Sequence, residues 1–430
     1  MKQWETPVLL RRCIQEKDLS MKTYIPLRVA AAVMVLSTGT ASAWAEERTA
    51  APAAAVPAET PAPAPALPPA MAGTLNAAPL RFDAGALGPL YVGGVLSGLG
   101  QWQSNAAPAD RTRQADLGNA QVFVNKADGL VQFFVQGGYY SIPALGVPYL
   151  RTSDATPAYY GPLAQGYLKL APTDSFSVMV GKLPTLIGAE STFSFQNFNI
   201  QRGLLWNQEN AVNRGVQVNY ATGPLTLSAS INDGFYSKHY SWVSFLASYA
   251  LDSSNTVTFN AGGNTRHTEV SSTATPLFQN NQQIYNLIYT RTQGAWTFQP
   301  YVQYTRVPSL PEFGANESAS TYGGALLASY DFGNDATPAA LRLPGFKLPV
   351  RVEYIASTGS AAAGAPNLLY GPGSRAWSIT LTPTYQYKRF FTRAEFAYVG
   401  TGRTATGAAF GTDGNRHSQV RGMLEVGFLI

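Results

Sequence analysis

Three segments near the end of the chain carry acid and base side by side: Arg351 with Glu353, Arg393 with Glu395, and Arg421 with Glu425. In an extended strand, residues two or four apart point the same way, so each pair shares a face. The opposite face is mostly apolar: Val350, Val352 and Tyr354, then Phe390, Ala394 and Phe396, then Val420, Leu424 and Val426. Charges set out like this either give a polar wall its ion preference or tie the wall together as internal ion pairs. Mixed signs cancel one another's field, which favours the second use. A further set, Glu190, Arg202 and Glu209, lies in the long segment 183–212 among Phe193, Phe195, Phe198 and Trp206. Long segments with aromatics of their own are often functional. This one suits either a constriction folded into a pore or a cover packed over a rim. Glu190, Arg202 and the six strand charges are therefore the candidates for lining or constricting a channel.

Catalytic chemistry finds little support. A hydrolase needs a positioned base near a nucleophile, yet His239, His267 and His417 all fall in loop-like stretches without a nucleophile motif. Glycine pairs such as Gly93-Gly94 and Gly323-Gly324 lack a phosphate-binding context and suit strand bending or close packing. No metal-ligand spacing occurs. No cofactor, metal or catalytic residue is expected.

The elements that would position these charges are strands. The final stretch S-Q-V-R-G-M-L-E-V-G-F-L-I has one apolar and one charged face, and so requires two different surroundings. The same alternation recurs over segments of roughly ten residues. Ala120, Val122 and Val124 alternate with Gln121, Phe123 and Asn125, and Leu225, Leu227, Ala229 and Ile231 alternate with Thr226, Ser228, Ser230 and Asn232. Short turn-forming links (126–129, 171–174, 221–224, 252–255, 292–294, 387–389) alternate with long polar ones (104–117, 142–162, 183–212, 265–281, 307–319, 358–374, 400–417). The link 333–346 is long where a short turn is due. An up-and-down barrel requires such alternation, whereas Greek-key sandwiches do not. The expectation is an all-β, antiparallel transmembrane barrel of about 16 strands, with 14 to 18 allowed.

The N-terminal region supplies an address. M-K-T-Y-I-P-L-R from Met21, an apolar stretch from Val29 to Leu36 and small residues before Ala43 and Ala45 have the layout of a cleavable signal peptide over 21–45. Residues 1–20 read as an overlong gene-model extension, residues 46–88 as a Pro/Ala-rich periplasmic spacer, and 89–430 as the barrel. The single cysteine, Cys13, precedes that leader, so no disulfide scaffold is available. Residues 1–45 hold six of the 30 basic and three of the 25 acidic residues, which leaves a charge of +2 and no nucleic-acid footprint. Only 13% of residues are charged against 12% aromatic. Soluble domains carry roughly a quarter charged residues.

Residues 181–234 resemble the second-type, OmpL-like beta-barrel porin family. The resemblance rests on G-K-L-P-T-L-I-G-A-E, F-N-I-Q-R-G-L-L-W and N-R-G-V-Q-V-N-Y, at Gly181, Lys182, Thr185, Gly188, Glu190, Asn199, Arg202, Leu204, Leu205, Gly215 and Val216. It implies an outer-membrane barrel and says little about substrate. Ile430 stands where such barrels usually end in an aromatic, with Phe428 two residues earlier.

These readings converge on a porin in the bacterial outer membrane that passes small hydrophilic solutes through a water-filled barrel, with weak ion selectivity. Its expected partners are outer-membrane lipid, the barrel-insertion machinery and small polar solutes, with room for a homo-oligomer. A non-conducting display barrel, a barrel hydrolase and a soluble sandwich are the alternatives.

Overall fold

The computed structural model describes residues 71, 73–75 and 77–430. The expected gene-model extension, the signal peptide and the spacer as far as residue 70 lie outside them.

Sixteen antiparallel strands, from Pro89–Gln103 to Ser418–Leu429, close into a barrel. One of them is interrupted. Arg375–Leu381 and Thr384–Tyr387 pair with the same two neighbours on either side of Thr382-Pro383. Proline has no N–H to give the ladder, so the pairing lapses there while the register runs on unchanged, with Leu381 opposite Val350 and Thr384 opposite Lys347. Pro383 still accepts from the Ala394 N–H at 3.1 Å.

The barrel closes where the last strand meets the first, with Arg421 opposite Gln103 and Leu429 opposite Val95. Gly94 and Ile430 exchange backbone hydrogen bonds of 3.1 and 2.9 Å. Just beyond, the short strand Leu80–Asp83 pairs with Pro89–Val92 and prolongs the same edge.

The two faces differ as the alternation requires. Leu96, Val122, Val216, Val302, Val352 and Leu424 are exposed on the outside, while Ser97, Gln121, Gln217, Ser230, Asn260 and Gln303 are buried within. Tyr285, Tyr304, Tyr322 and Tyr354 ring the outer surface near the long loops. Trp296 stacks on Phe298 and meets Tyr330 edge-on at the short-turn end. Exposed aromatics at both ends of an apolar band are the girdles of a membrane barrel. Among the described residues, no helix is long and apolar enough to cross a membrane.

Short and long links alternate as expected, and the long link after Ala319–Asp331 sits at the short-turn end, closed by Thr337 donating to the Asp331 carbonyl at 2.9 Å. Two boundaries differ from the sequence reading. Arg113–Leu117, read as loop, is strand, paired with Gly98–Trp102. Residues 71–83 were assigned to the spacer, yet Met71 and Leu75 are buried beside Phe123, Phe195 and Leu429. The Leu75 N–H donates to the Phe195 carbonyl at 3.2 Å. Apolar residues follow the proline run, so this segment has something to bury.

Candidate functional site

A 16-strand barrel is wide enough for an aqueous channel, but here chain crosses the lumen. The connection between Phe176–Pro184 and Val212–Thr222 folds inward, and its backbone bonds to charged groups midway along the last strands. Glu395 accepts from the N–H groups of Ile200 and Gln201 at 2.5 and 3.2 Å and from Gln201 Nε2 at 2.8 Å. Arg393 Nη1 donates to the carbonyls of Ser194 and Asn197, each at 3.2 Å. Arg351 Nη1 donates to Glu190 at 2.5 Å and to the Gln201 carbonyl at 2.8 Å. Arg421 holds both the Gln201 side chain and the carbonyls of Ala144 and Val147 in the neighbouring loop. The choice left open by the sequence is settled: the segment lies inside the barrel.

The sequence pairs acid with base along each strand, and the structure does so once, for Arg351 and Glu353 at 3.2 Å. Arg393 instead pairs with Glu425, its direct cross-strand neighbour, and Arg421 lies 3.8 Å from Asp110. Cross-strand neighbours are closer than same-strand ones, so register decides. All six strand charges are buried. Buried ions persist only with good partners, and the loop supplies many of them. Ser97 and Ser194 donate to Glu425, and Ser378 and the Leu205 N–H donate to Glu353.

Glu190 turns back to accept from the Gly203 N–H at 2.7 Å. Burial holds its carboxyl above the usual range, against the pull of Arg351. Arg202 is fully buried, with its guanidinium 5.7 Å from the Trp206 ring and no hydrogen-bond partner on any of its three nitrogens. Burial lowers its pKa to about 10. Glu209 shares the loop but carries no counter-ion among the described residues. Burial, then the like charges of Glu190 and Glu353, push its carboxyl well up. Its isolation has no signature in the sequence, because it depends on where the loop lands. The same holds for Tyr301, an inward residue with an unpartnered hydroxyl.

The loop leaves a cavity on each side. Toward the short turns, about 540 Å³ is lined by Asn125, Gln165, Ser177, Gln217 and Asn219 and reaches Gly188 and Glu190. Toward the long loops, about 200 Å³ is lined by Gly146, Asn207, Gln208, Asn367 and Tyr370. Gly188 lines the first cavity and Gln208 the second, and the carboxylate of Glu209, next to Gln208 in the chain, lies against Gly188. His239, His267 and His417 are exposed on loops, and the described residues contain no group of three His, Cys, Asp or Glu suited to a metal.

Comparison with known proteins gives the fold a family. Residues 89–430 match the model described as "Putative beta-barrel porin-2, OmpL-like". Among solved structures, the chain is similar to the outer membrane channel DcaP of Acinetobacter baumannii, at 11% identity and a TM-score of 0.53 over 82% of this chain and 100% of that one. It is similar to the anion-selective porin from Comamonas acidovorans, at 11% identity and a TM-score of 0.52 over 79% and 99%. It also resembles OmpT of Vibrio cholerae, at 10% identity and a TM-score of 0.52 over 80% and 98%. A sequence search of curated proteins finds no match. The chain belongs to the OmpL-like porin family and is an outer-membrane β-barrel.

Proposed function

We propose that this porin passes small hydrophilic solutes by passive diffusion, without cofactor or catalysis and with weak ion selectivity. The observation that carries the reading is the pair of cavities left on the two sides of the internal loop, each lined in part by amide and hydroxyl side chains. A display barrel has no need of an amide- and hydroxyl-lined interior on both sides of a partition. Weak selectivity follows from the mixed signs: Arg351, Arg393 and Arg421 pair with Glu190, Glu353, Glu425 and Asp110, which leaves this set a single formal negative charge from neutral. The last strand, apolar outside and closing the barrel, is the segment for the insertion machinery to recognise, and the aromatic-girdled exterior suits lipid or a second copy of the chain.

Single-channel recording in planar bilayers tests the reading. Stepwise conductance from heat-modifiable, folded protein is the expected result. Folded barrels that insert and never conduct would overturn it in favour of a display protein.

A further inference from the structure

Most polar groups clamping the loop are satisfied, but those around Glu209 are not. Glu209 is 5% exposed, and neither carboxylate oxygen has a hydrogen-bond partner among the described residues. Buried polar atoms in that state mark a site that water or a ligand completes. What surrounds it is rich in acceptors. Gly188, against the carboxylate, donates its N–H to Asn260 Oδ1 at 3.3 Å. Asn260 stands opposite Asn286 on the next strand, and Asn286 stands opposite Gln303 on the one after.

Three amide nitrogens here are already used. Asn286 Nδ2 donates to Asn260 Oδ1 at 2.9 Å, Gln303 Nε2 to the Leu205 carbonyl at 3.0 Å, and Gln208 Nε2 to the Leu368 carbonyl at 2.9 Å. Their oxygens, Asn286 Oδ1, Gln303 Oε1 and Gln208 Oε1, are left buried and unpartnered, as is the hydroxyl of Tyr301, 3% exposed. Asn260 Nδ2 is the one unpartnered donor in the row. Tyr301 lies two residues from Gln303 on the same inward face of its strand.

The local charge is negative. Glu190 and Glu353 both lean on Arg351, and Arg202 acts on Glu190 as well, so three carboxylates face two guanidiniums.

We propose that Glu209, with Tyr301 and the side-chain oxygens of Gln208, Asn286 and Gln303, is a cation-binding station inside the barrel, beside the larger cavity that Gly188 lines. One free carboxylate with neutral oxygens balances a single positive charge and falls short of the many-carboxylate cage of a calcium site. The occupant is an alkali cation or the ammonium group of an organic solute. The assignment rests on the diffusion reading and gives the weak selectivity a sign. A proton competes for the same carboxylate, whose affinity for it is raised by burial and by Glu190 and Glu353. The charge is therefore lost as pH falls through that raised value, and the preference for cations falls with it.

Reversal potentials under a KCl gradient, for the wild type and Glu209→Gln, test the station. The wild type is expected to prefer cations, less so as pH is lowered, while a conducting Glu209→Gln channel loses the preference at every pH. Ethanolammonium chloride in place of KCl separates the two sources. A variant effect with both salts means the station also takes ammonium groups, and an effect with KCl alone confines it to inorganic ions. A conducting Glu209→Gln channel with the wild-type reversal potential overturns the station and leaves the porin reading standing. If Glu209→Gln does not fold, Tyr301→Phe is read in its place, with a reduced cation preference expected and an unchanged one counting against the station.

If neither protein conducts, the porin reading fails, and the station is judged by melting the folded barrel in detergent. Bound cation stabilises the folded state by mass action. A higher midpoint in KCl than in N-methylglucamine chloride of equal ionic strength, absent in Glu209→Gln, supports the station. Equal midpoints for the wild type overturn it.

Discussion

Replacing Arg393 by methionine keeps a side chain of similar length and deletes the charge that holds the middle of the internal loop. Arg393 is paired with Glu425 and donates to the carbonyls of Ser194 and Asn197. In Arg393→Met, Glu425 stays buried with only the hydroxyls of Ser97 and Ser194 as donors. Removing one partner of a buried pair costs about 3–5 kcal/mol, because the other charge is stranded. Each carbonyl that loses a charged donor adds roughly 1.5–3 kcal/mol. The ladder between the strands of Arg393 and Glu425 survives in full, since its bonds are between backbones. The cheapest relief is for the loop to leave the wall and admit water. Planar-bilayer recordings should then show larger and noisier conductance, and trypsin should reach Arg202 in folded barrels. Adding Glu425→Gln removes the stranded charge, so in urea titrations of the folded band the double variant should be destabilised by clearly less than the two single variants combined. Effects that add within about 0.5 kcal/mol, together with wild-type conductance in Arg393→Met, would refute the clamp.

Val352→Arg and Phe396→Arg place a charge on exposed outer positions, 45% and 60% accessible. Each should cost about 2–4 kcal/mol near mid-membrane, seen as less folded band in urea titrations and less protein assembled in outer membranes. Gly188→Ala puts a side chain at φ +87° beside the Glu209 carboxylate. Backbone strain of about 1–2 kcal/mol and displacement of the carboxylate should lower the melting point and weaken cation preference together. Replacing Glu353 and Glu395 together by Gln takes acceptors from the loop's backbone N–H groups. It should raise conductance as well as move the reversal potential toward anions, and a shift without a conductance change would mean the loop stays seated without them. Epitope tags in 142–162 or 400–417 should label intact cells and tags at Asp128 or Thr222 should not, with reversed labelling overturning the orientation.

The barrel was legible because lipid outside and polar groups inside impose a period of two on every strand. Val122 faces out and Gln121 in because nothing else satisfies both surroundings. Strand ends were less clear. Arg113–Leu117 looks like loop in its polarity and becomes strand by pairing with Gly98–Trp102, which no local pattern records. Thr382-Pro383 interrupts a strand without ending it, because both flanking pieces keep the same neighbours and register. At the site, the inward direction of Arg351, Arg393 and Arg421 followed from periodicity. Of their partners only Glu353, beside Arg351, followed too, since Arg393 meets Glu425 through register and Arg351 meets Glu190 through the path of a loop. Glu209 lay in plain view within that loop, but a missing partner is a three-dimensional fact.

The seam between the first and last strands also governs how the protein is made. The side-chain bond from Arg421 to Gln103 spans 318 residues, and the strand pairs beyond it span more still. Until Ser418–Leu429 arrives, Pro89–Gln103 has a bare edge above its short pairing with Leu80–Asp83, and bare edges recruit other chains. Loop-closure entropy must be met before these distant contacts form, which makes closure late and slow. A nascent chain lacking its last dozen residues would have nothing to cover that edge with. The architecture thus inspects its own completeness: a curtailed copy is left unsealed, open to proteolysis before it can become a leak in the membrane.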